Sequence, residues 1–218
     1  MNVSVCNLSV GARSSLLSKA QLKEVEEELR VFHPQVEFVP SWLETTGDLD
    51  LKTSLRTLGK TDFFTREIDQ MQLSGRCRIS IHSAKDLPEP LTPGLVLVAL
   101  TKGVDSSDCL VCNGELRKGA RIGASCERRD LMVKALRADL VCADIRGTID
   151  RRLALLDAGE YDGVVMAEAA LIRLGLTHRQ RIPLPGETAP LQGQLAVLAR
   201  EGDLEMAELF SCIDTRAK

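Results

Sequence analysis

The stretch "ARIGASCERRDLMVKALRADLVCADI", Ala120 to Ile145, decides the fold class of this chain. A short apolar run, a helix-length segment with Leu, Met and Val among charged residues, and a second apolar run follow one another directly. Strands that alternate with helices of this length are typical of a parallel or mixed sheet with helices on its faces. The stretch therefore predicts an α/β fold.

The same alternation extends in both directions. Towards the C terminus we predict a helix at "TIDRRLALLDAG", a strand at "DGVVMA", a helix at "EAALIRLGL", a strand at "QLAVLAR" and a helix at "LEMAELFSC". Towards the N terminus we predict strands at "NVSVCNLSV", "VEFVP", "RISIH" and "GLVLVAL", and helices at "SSLLSKAQLKEVEEELRVF" and at about Phe63 to Leu73. The first helix has one apolar stripe, which we expect to be buried, of Leu17, Leu22, Val25, Leu29 and Phe32.

Two polar segments predict where the chain crosses between domains. "TKGVDSSD", Thr101 to Asp108, leads into a second domain, and the Pro-rich "PLPGETAP" leads back to the first. We therefore expect domain 1 to comprise residues 1–100 and 190–218, and domain 2 to comprise residues 101–189. Asp48 to Thr61 has no clean hydrophobic period, which predicts a mobile loop.

Composition excludes several classes of protein. With 218 residues, of which 44% are hydrophobic and 27% charged, the chain can bury a sizeable core. The formal net charge of -3 argues against non-specific nucleic-acid binding. No apolar run approaches the ~18 residues of a membrane span, and "MNVSVCNLSVGARSS" lacks a signal-peptide pattern. We expect a cytoplasmic monomer with neither nucleic-acid nor membrane partners.

The seven cysteines are scattered and odd in number, which fits reduced thiols better than a disulfide framework. Cys109 and Cys112 have CxxC spacing, but no second pair or His cluster completes a zinc site. We interpret them as small buried residues and expect no metal.

Arginines cluster at three predicted helix starts. The segments are "VGARSS", in which Gly11 permits a tight turn, "GASCERRD" and "IRGTIDRR". The guanidinium group has a planar fork that suits carboxylates or phosphates. One such arginine cluster alone would indicate a solvated helix face. Three arginine clusters at successive helix N-termini predict a binding site for a ligand with several carboxylates.

A lone carboxylate stands among these cations, in "IHSAKDLPEP", Ile81 to Pro90. Asp86 would stay ionised beside positive charge, hold an N–H donor and stabilise positive charge that develops in a transition state. We interpret His82 as a hydrogen-bonded histidine near the sheet edge. A Ser-His-Asp triad of Ser83, His82 and Asp86 is disfavoured because neighbours on a strand and turn seldom face one another.

These segments, with "TTGDLDLKTSL" and "LQGQLAVLARE", resemble the hydroxymethylbilane synthase family, also called porphobilinogen deaminase. The resemblance spans about residues 8–202, and "HSAKDLP" and "RGTIDRRLALLDAGEYD" are its most specific parts. It implies two periplasmic-binding-protein-like α/β domains with mixed sheets flanked by helices and a cleft between them. It also implies a transferase that condenses four porphobilinogens head to tail with loss of ammonia, and a dipyrromethane cofactor that primes the chain.

Site residues follow from the same resemblance. Asp86 would be the catalytic carboxylate, which holds pyrrole N–H groups and stabilises a cationic azafulvene. The residues that would bind the cofactor are Lys85, Ser83, Arg128, Arg129, Arg146, Ser125 and Cys126. A second set would bind porphobilinogen, mostly through its acetate and propionate arms. This set comprises Arg13, Ser15, Arg152, Lys60 and Phe64.

The sequence departs from the family pattern in several places, among them Glu168 and Ala170, which replace an apolar residue and a glycine of the family. The family continues into a third domain whose cysteine forms a thioether to the cofactor, and no residue here matches it, so we expect that domain to be absent. The family's "SSLRR" is replaced by Ser125 to Arg129. We interpret Cys126 first as a small residue tolerated where serine usually stands, and consider its position beside two arginines at a helix start as another anchor for the cofactor. The family's two loop lysines align with Thr57 and Thr61.

Two alternatives stay open at this point. The same clamshell would suit a non-catalytic binding protein for a tetrapyrrole or another polycarboxylate. The sequence would also fit a piece of a longer protein that carries the third domain elsewhere.

Overall fold

A computed structural model describes residues 6–56, 58 and 61–216. The described residues form two units. The first unit comprises residues 6–49, 61–103 and 194–216, and the second comprises residues 50–56, 58 and 104–193. The chain thus leaves the first unit and returns to it with its C-terminal segment.

The first unit is built on a mixed five-stranded sheet. Its strands are β1 (Cys6–Arg13), β2 (Val36–Leu43), β3 (Ile79–Ser83), β4 (Leu95–Leu100) and β10 (Leu195–Arg200), in the order β2-β1-β3-β10-β4. β1 is parallel to β2 and β3, whereas β10 is antiparallel to β3 and β4. Its helices are α1 (Leu16–Arg30), α2 (Thr46–Leu49), α3 (Arg66–Leu73) and α7 (Leu204–Phe210).

Helices cover both faces of this sheet because successive side chains of a strand point to opposite sides. Val10 and Ala12 pack in the main core with residues of α1 and α7. Gly11, between them, faces α3, where an added Cβ would lie 2.8 Å from Met71 Cε and 2.8 Å from Cys77 Sγ. Gly11 therefore lies inside β1 and makes room for α3, so its predicted role in a tight turn is wrong.

The second unit repeats the plan. Its strands are β5 (Asp108–Cys112), β6 (Arg121–Ala124), β7 (Val141–Asp144), β8 (Gly163–Ala167) and β9 (Arg181–Pro183), in the order β7-β6-β8-β5-β9. β6 is parallel to β7 and β8, and β5 is antiparallel to β8 and β9. Its helices are α4 (Glu127–Leu136), α5 (Ile149–Asp157) and α6 (Glu168–Arg173). The predicted α/β class with mixed sheets is confirmed.

The two faces of this second sheet carry separate cores. Val164 and Met166 pack with residues of α5 and α6, whereas Val165 packs with residues of α4. Successive side chains of β8 thus point to opposite faces of the sheet. One face is covered by α4, and the other by α5 and α6.

Three details of the sequence prediction are wrong. Phe32 is 57% exposed because α1 ends at Arg30, and Ser18 and Gln21 complete the buried stripe instead. β5 and β9 were not predicted as strands. His82 is hydrogen-bonded, as predicted, but it does not lie on an outer strand, because β3 is the middle strand of its sheet.

The cysteines are all free thiols. Cys109 and Cys112 are buried on β5, as expected, and burial raises the pKa of both. Over the described part of the chain, no cluster of three or more His, Cys, Asp or Glu side chains could hold a metal ion. Within the same residues, no helix is long and apolar enough to cross a membrane.

Candidate active site

Asp86 lies at the carboxyl end of the middle strand of the first unit. β3 ends at Ser83 and passes into a 3₁₀ turn over Ala84–Asp86, anchored by Ala84 N–H, which donates to Gln194 O at 3.0 Å. The Asp86 side chain is half-buried, and no hydrogen bond or ion pair to its carboxylate is found among the described residues. The carboxylate is therefore available as an acceptor at the edge of the sheet.

Arg13 lies at the same edge, because β1 is parallel to β3 and Arg13 is its last residue. Its Nε donates to Asp48 Oδ2 at 3.1 Å and its Nη2 to Asp48 Oδ1, while the Phe64 ring centroid lies 4.8 Å from its Cζ. Burial alone would raise the pKa of Asp48, but Arg13 and hydrogen bonds from Thr45 outweigh it and lower the pKa. This bidentate pair with Asp48 orients the Arg13 guanidinium group. Nη1 makes no hydrogen bond among the described residues and can bind another anion.

Two serines of the predicted site are tied to α1. Ser15 is the N-cap of α1, and its Oγ accepts from Ser18 N–H at 3.2 Å. Ser83 Oγ accepts from Gln21 Nε2 at 2.8 Å. Gln21 is buried and was missed by the sequence prediction, although a polar residue in the apolar stripe of α1 is a signal that could have found it.

The second unit holds a triad of charges around a buried aspartate. Asp108, at the start of β5, is fully buried, and it pairs with Arg129 Nη2 at 2.6 Å and Arg128 Nη1 at 2.7 Å. Burial would raise the pKa of Asp108, but the two guanidinium groups hold it below its ordinary value. Asp108 was also missed by the sequence prediction. In the sequence it is a single charged residue before the apolar run "CLVC".

Donors remain on both arginines. Arg128 Nε and Nη2 make no hydrogen bond among the described residues. Arg129 is 6% exposed, and its Nε is buried without a partner in the same part of the chain. An unpartnered buried guanidinium N–H is costly, and a carboxylate ligand would satisfy it. The residues present therefore fit a group that carries carboxylates.

Two further residues of the predicted site, Ser125 and Cys126, directly precede α4. Ser125 is buried, and Cys126 is the N-cap of α4, partly exposed, with no side-chain cap hydrogen bond. The predicted helix start beside two arginines is thus confirmed, whereas a covalent role for Cys126 stays a prediction.

Three further arginines of the second unit contact backbone or carboxylate oxygens. Arg56 pairs with Asp130 and donates to Ala124 O at 2.8 Å. Arg146 Nη2 donates to Asp50 O at 2.7 Å, and Arg152 Nε to Gly147 O at 2.8 Å. Arg146 precedes and Arg152 follows the start of α5, as the sequence predicted. Lys60, predicted to bind substrate, lies outside the described residues.

Each unit therefore carries its own set of predicted ligands. The first unit carries Asp86, Arg13, Phe64, Ser15, Ser83 and Lys85 on β1, on β3 and in the segments next to β3, α1 and α3. The second unit carries Ser125, Cys126, Arg128, Arg129, Arg146 and Arg152 at the starts of α4 and α5.

Comparison with known proteins identifies the family. The family model described as "porphobilinogen deaminase, dipyromethane cofactor binding domain" matches residues 8–208. The chain belongs to the porphobilinogen deaminase family.

Relatives agree along most of the chain. A probable porphobilinogen deaminase of Chlamydia pneumoniae is 40% identical over 211 residues, which cover 94% of this chain and 89% of the relative. The porphobilinogen deaminase of Streptococcus sanguinis is 36% identical over 218 residues, which cover 94% of this chain and 71% of the relative. The porphobilinogen deaminase model and these relatives thus confirm the resemblance read from the sequence.

Solved structures support the fold. A probable amino-acid ABC transporter extracellular-binding protein from Bacillus subtilis aligns with a TM-score of 0.52 at 12% identity, and covers 96% of this chain and 90% of that one. At this identity the likeness concerns the fold alone. This member of the porphobilinogen deaminase family therefore has the predicted periplasmic-binding-protein-like fold.

Proposed function

We propose that this chain is a hydroxymethylbilane synthase, a transferase that joins four porphobilinogen molecules head to tail and releases ammonia. The observation that carries the proposal is Asp86, a half-buried carboxylate without a hydrogen-bond partner among the described residues, in a chain whose family is porphobilinogen deaminase. All seven cysteines are free thiols, which supports a reducing, cytoplasmic compartment.

The family's cofactor is a dipyrromethane, which when bound supplies the pyrrole end to which substrate units are added. Arg128 and Arg129 would hold its carboxylates, since Arg128 Nε and Nη2 and the buried Arg129 Nε have no hydrogen-bond partner among the described residues. The other residues proposed to hold it are Ser125, Cys126, Arg146, Lys85 and Ser83.

Asp86 acts on the nitrogen atoms of the substrate. Its carboxylate accepts a hydrogen bond from the pyrrole N–H of porphobilinogen. As ammonia leaves from the protonated aminomethyl group, the C–N bond breaks and the positive charge passes to the ring, which becomes a cationic azafulvene. The fixed negative charge of Asp86 stabilises that ring cation more than it stabilises the neutral pyrrole ring. Asp86 thereby lowers the barrier for loss of ammonia.

Arg13 positions the substrate by its carboxylate arms. Asp48 occupies the Nε–Nη2 edge of Arg13, so Nη1 remains for an acetate or propionate group. Because Asp48 fixes the guanidinium in advance, less conformational entropy is lost when the substrate binds. Ser15, Arg152, Phe64 and Lys60 complete the proposed set of substrate-binding residues.

The test is turnover of porphobilinogen by the purified, folded, cofactor-loaded protein, with hydroxymethylbilane as the measured product. We expect product from the natural chain and a loss of at least about 100-fold in kcat for Asp86→Asn, because one electrostatic stabiliser of the transition state is removed. Circular dichroism of the variant serves as the control for folding.

Two outcomes would contradict the proposal. The first is absence of hydroxymethylbilane from correctly folded, cofactor-loaded protein. The second is tight binding of a tetrapyrrole, unaffected by Asp86→Asn and without release of ammonia, which would indicate a non-catalytic binding protein.

A further inference from the structure

A buried chain of hydrogen bonds connects α3 to the strand that leads to Asp86. Gln72, on α3, is fully buried, and its Nε2 donates to Arg78 O at 3.0 Å and to Leu198 O at 2.7 Å. Backbone carbonyl groups only accept hydrogen bonds, so these two contacts fix the orientation of the amide. Gln72 Oε1 therefore faces Ser80 as an acceptor.

The same logic fixes the direction of the next two bonds. Ser80 Oγ lies 2.8 Å from Gln72 Oε1, and its single proton must be donated to that oxygen. Ser80 Oγ also lies 3.0 Å from His82 Nε2, and in this contact it can only accept. His82 therefore carries a proton on Nε2.

His82 has a second nitrogen, Nδ1, whose state follows from burial. Removal from water lowers the pKa of His82 to about 4, an effect that Arg13 adds to and Asp86 opposes. At neutral pH the ring is neutral, so Nδ1 is an unprotonated acceptor. Among the described residues, no hydrogen bond to Nδ1 is found. Nδ1 is also not one of the fully buried, unpartnered side-chain atoms in that part of the chain. The Nδ1 lone pair is thus left without a partner in the part of the chain that the structure describes.

We propose that His82 is a ligand-binding residue of this site, a neutral acceptor whose Nδ1 lone pair receives a hydrogen bond from an N–H group of the substrate beside Asp86. The inference rests on the proposed function. Porphobilinogen carries N–H donors on its pyrrole ring and its aminomethyl group, alongside two carboxylate arms. A neutral acceptor binds such a donor without adding a negative charge that would repel those arms.

The tautomer can be measured without any activity. The chain has three histidines, so the imidazole ¹⁵N resonances of His82 can be assigned by their loss in His82→Gln. We expect one protonated nitrogen, Nε2, and one unprotonated nitrogen, Nδ1, at pH 7 and still at pH 5.5. A proton on Nδ1 at either pH, in the neutral or the charged ring, would overturn the proposal.

Addition of porphobilinogen then tests the contact. We expect the Nδ1 resonance to move as the nitrogen gains a hydrogen bond, while Nε2 stays nearly unchanged. If the backbone amides of Arg13 and Asp86 respond and Nδ1 does not, the inference about His82 is wrong while substrate binding stands. If no resonance responds, the proposed function itself is contradicted, and the inference falls with it.

Two variants separate the nitrogens. His82→Asn keeps an acceptor near the position of Nδ1 and loses the bond to Ser80, whereas His82→Gln keeps a donor for Ser80 and loses the Nδ1 acceptor. We expect KM for porphobilinogen to rise about tenfold in His82→Gln, the effect of one lost hydrogen bond, and to change little in His82→Asn, which should unfold at lower urea concentration. The reverse order of KM values would overturn the proposal.

Discussion

At the scale of single residues, Arg13, Arg128 and Arg129 are each paired with a carboxylate of the chain itself. Asp48 orients Arg13 in the first unit, and Asp108 orients Arg128 and Arg129 in the second. The arginines are therefore preorganised, and the donors that Asp48 and Asp108 leave open are the ones a polycarboxylate would use. A site of this kind binds through geometry more than through an excess of positive charge, in keeping with the net charge of -3.

Asp108 carries a prediction about stability. Asp108→Asn removes the charge that compensates buried Arg129, so we expect the free energy of unfolding to fall by about 3 kcal/mol or more. Urea unfolding at pH 7 measures this. Asp157→Asn is the matched control, because Asp157 forms an equally well-aligned pair with Arg179 at 2.7 Å but on the surface. The control should lose less than about 1 kcal/mol, and equal losses would contradict the account.

His82 carries a prediction about pH. Its pKa in the folded chain, about 4, lies below its ordinary value of 6.5, so the unfolded chain binds a proton first as the pH falls. The contribution of His82 to stability is complete above pH 6.5 and is lost as the pH falls from 6.5 towards 4, by about 3 kcal/mol. Arg13 and Asp86 are the charged groups that act on this ring.

Urea unfolding at a series of pH values checks this, with His82→Gln as the reference that lacks the titrating group. The natural chain should lose more stability than His82→Gln between pH 6.5 and pH 4. Parallel curves for the two proteins would show that His82 titrates normally in the folded state.

At the scale of elements, Gly11 allows α3 to pack on β1. Gly11→Ala would place a Cβ 2.8 Å from both Met71 Cε and Cys77 Sγ, so we expect a loss of about 1–3 kcal/mol in unfolding free energy. The double variant with Met71→Ala measures the coupling, because shortening Met71 removes one of the two clashes. The combined loss should be smaller than the sum of the two single losses, and strict additivity would contradict the predicted contact.

Elements with clear periodicity were predictable, and the exceptions have physical reasons. Strands such as β6 and β8 and helices such as α4 and α5 follow from apolar runs and helix starts that agree with local preference. β5 was missed because it begins with a buried charge, Asp108, whose place in the interior depends on arginines from α4. Phe32 was misplaced because the end of α1 is set by the turn that follows Arg30.

At the scale of the whole molecule, the sequence identified the fold class, the family and the positions of most candidate ligands, but not their partners. The roles of Asp48, Asp108 and Gln21 depend on contacts between elements far apart in the chain, and no local pattern reports such contacts. The direction of the hydrogen bonds through Gln72, Ser80 and His82 likewise follows only once α3 and β3 lie side by side. Residues predicted to bind a ligand stand in recognisable sequence motifs, whereas the residues that orient them do not.

The most direct test of the central claim is the ratio of ammonia released to hydroxymethylbilane formed, measured in one reaction with porphobilinogen and cofactor-loaded protein. Head-to-tail condensation of four porphobilinogens predicts four ammonia molecules for each hydroxymethylbilane, and both signals should fall together in Asp86→Asn. Ammonia without hydroxymethylbilane, or neither product from folded, loaded protein, would contradict the account.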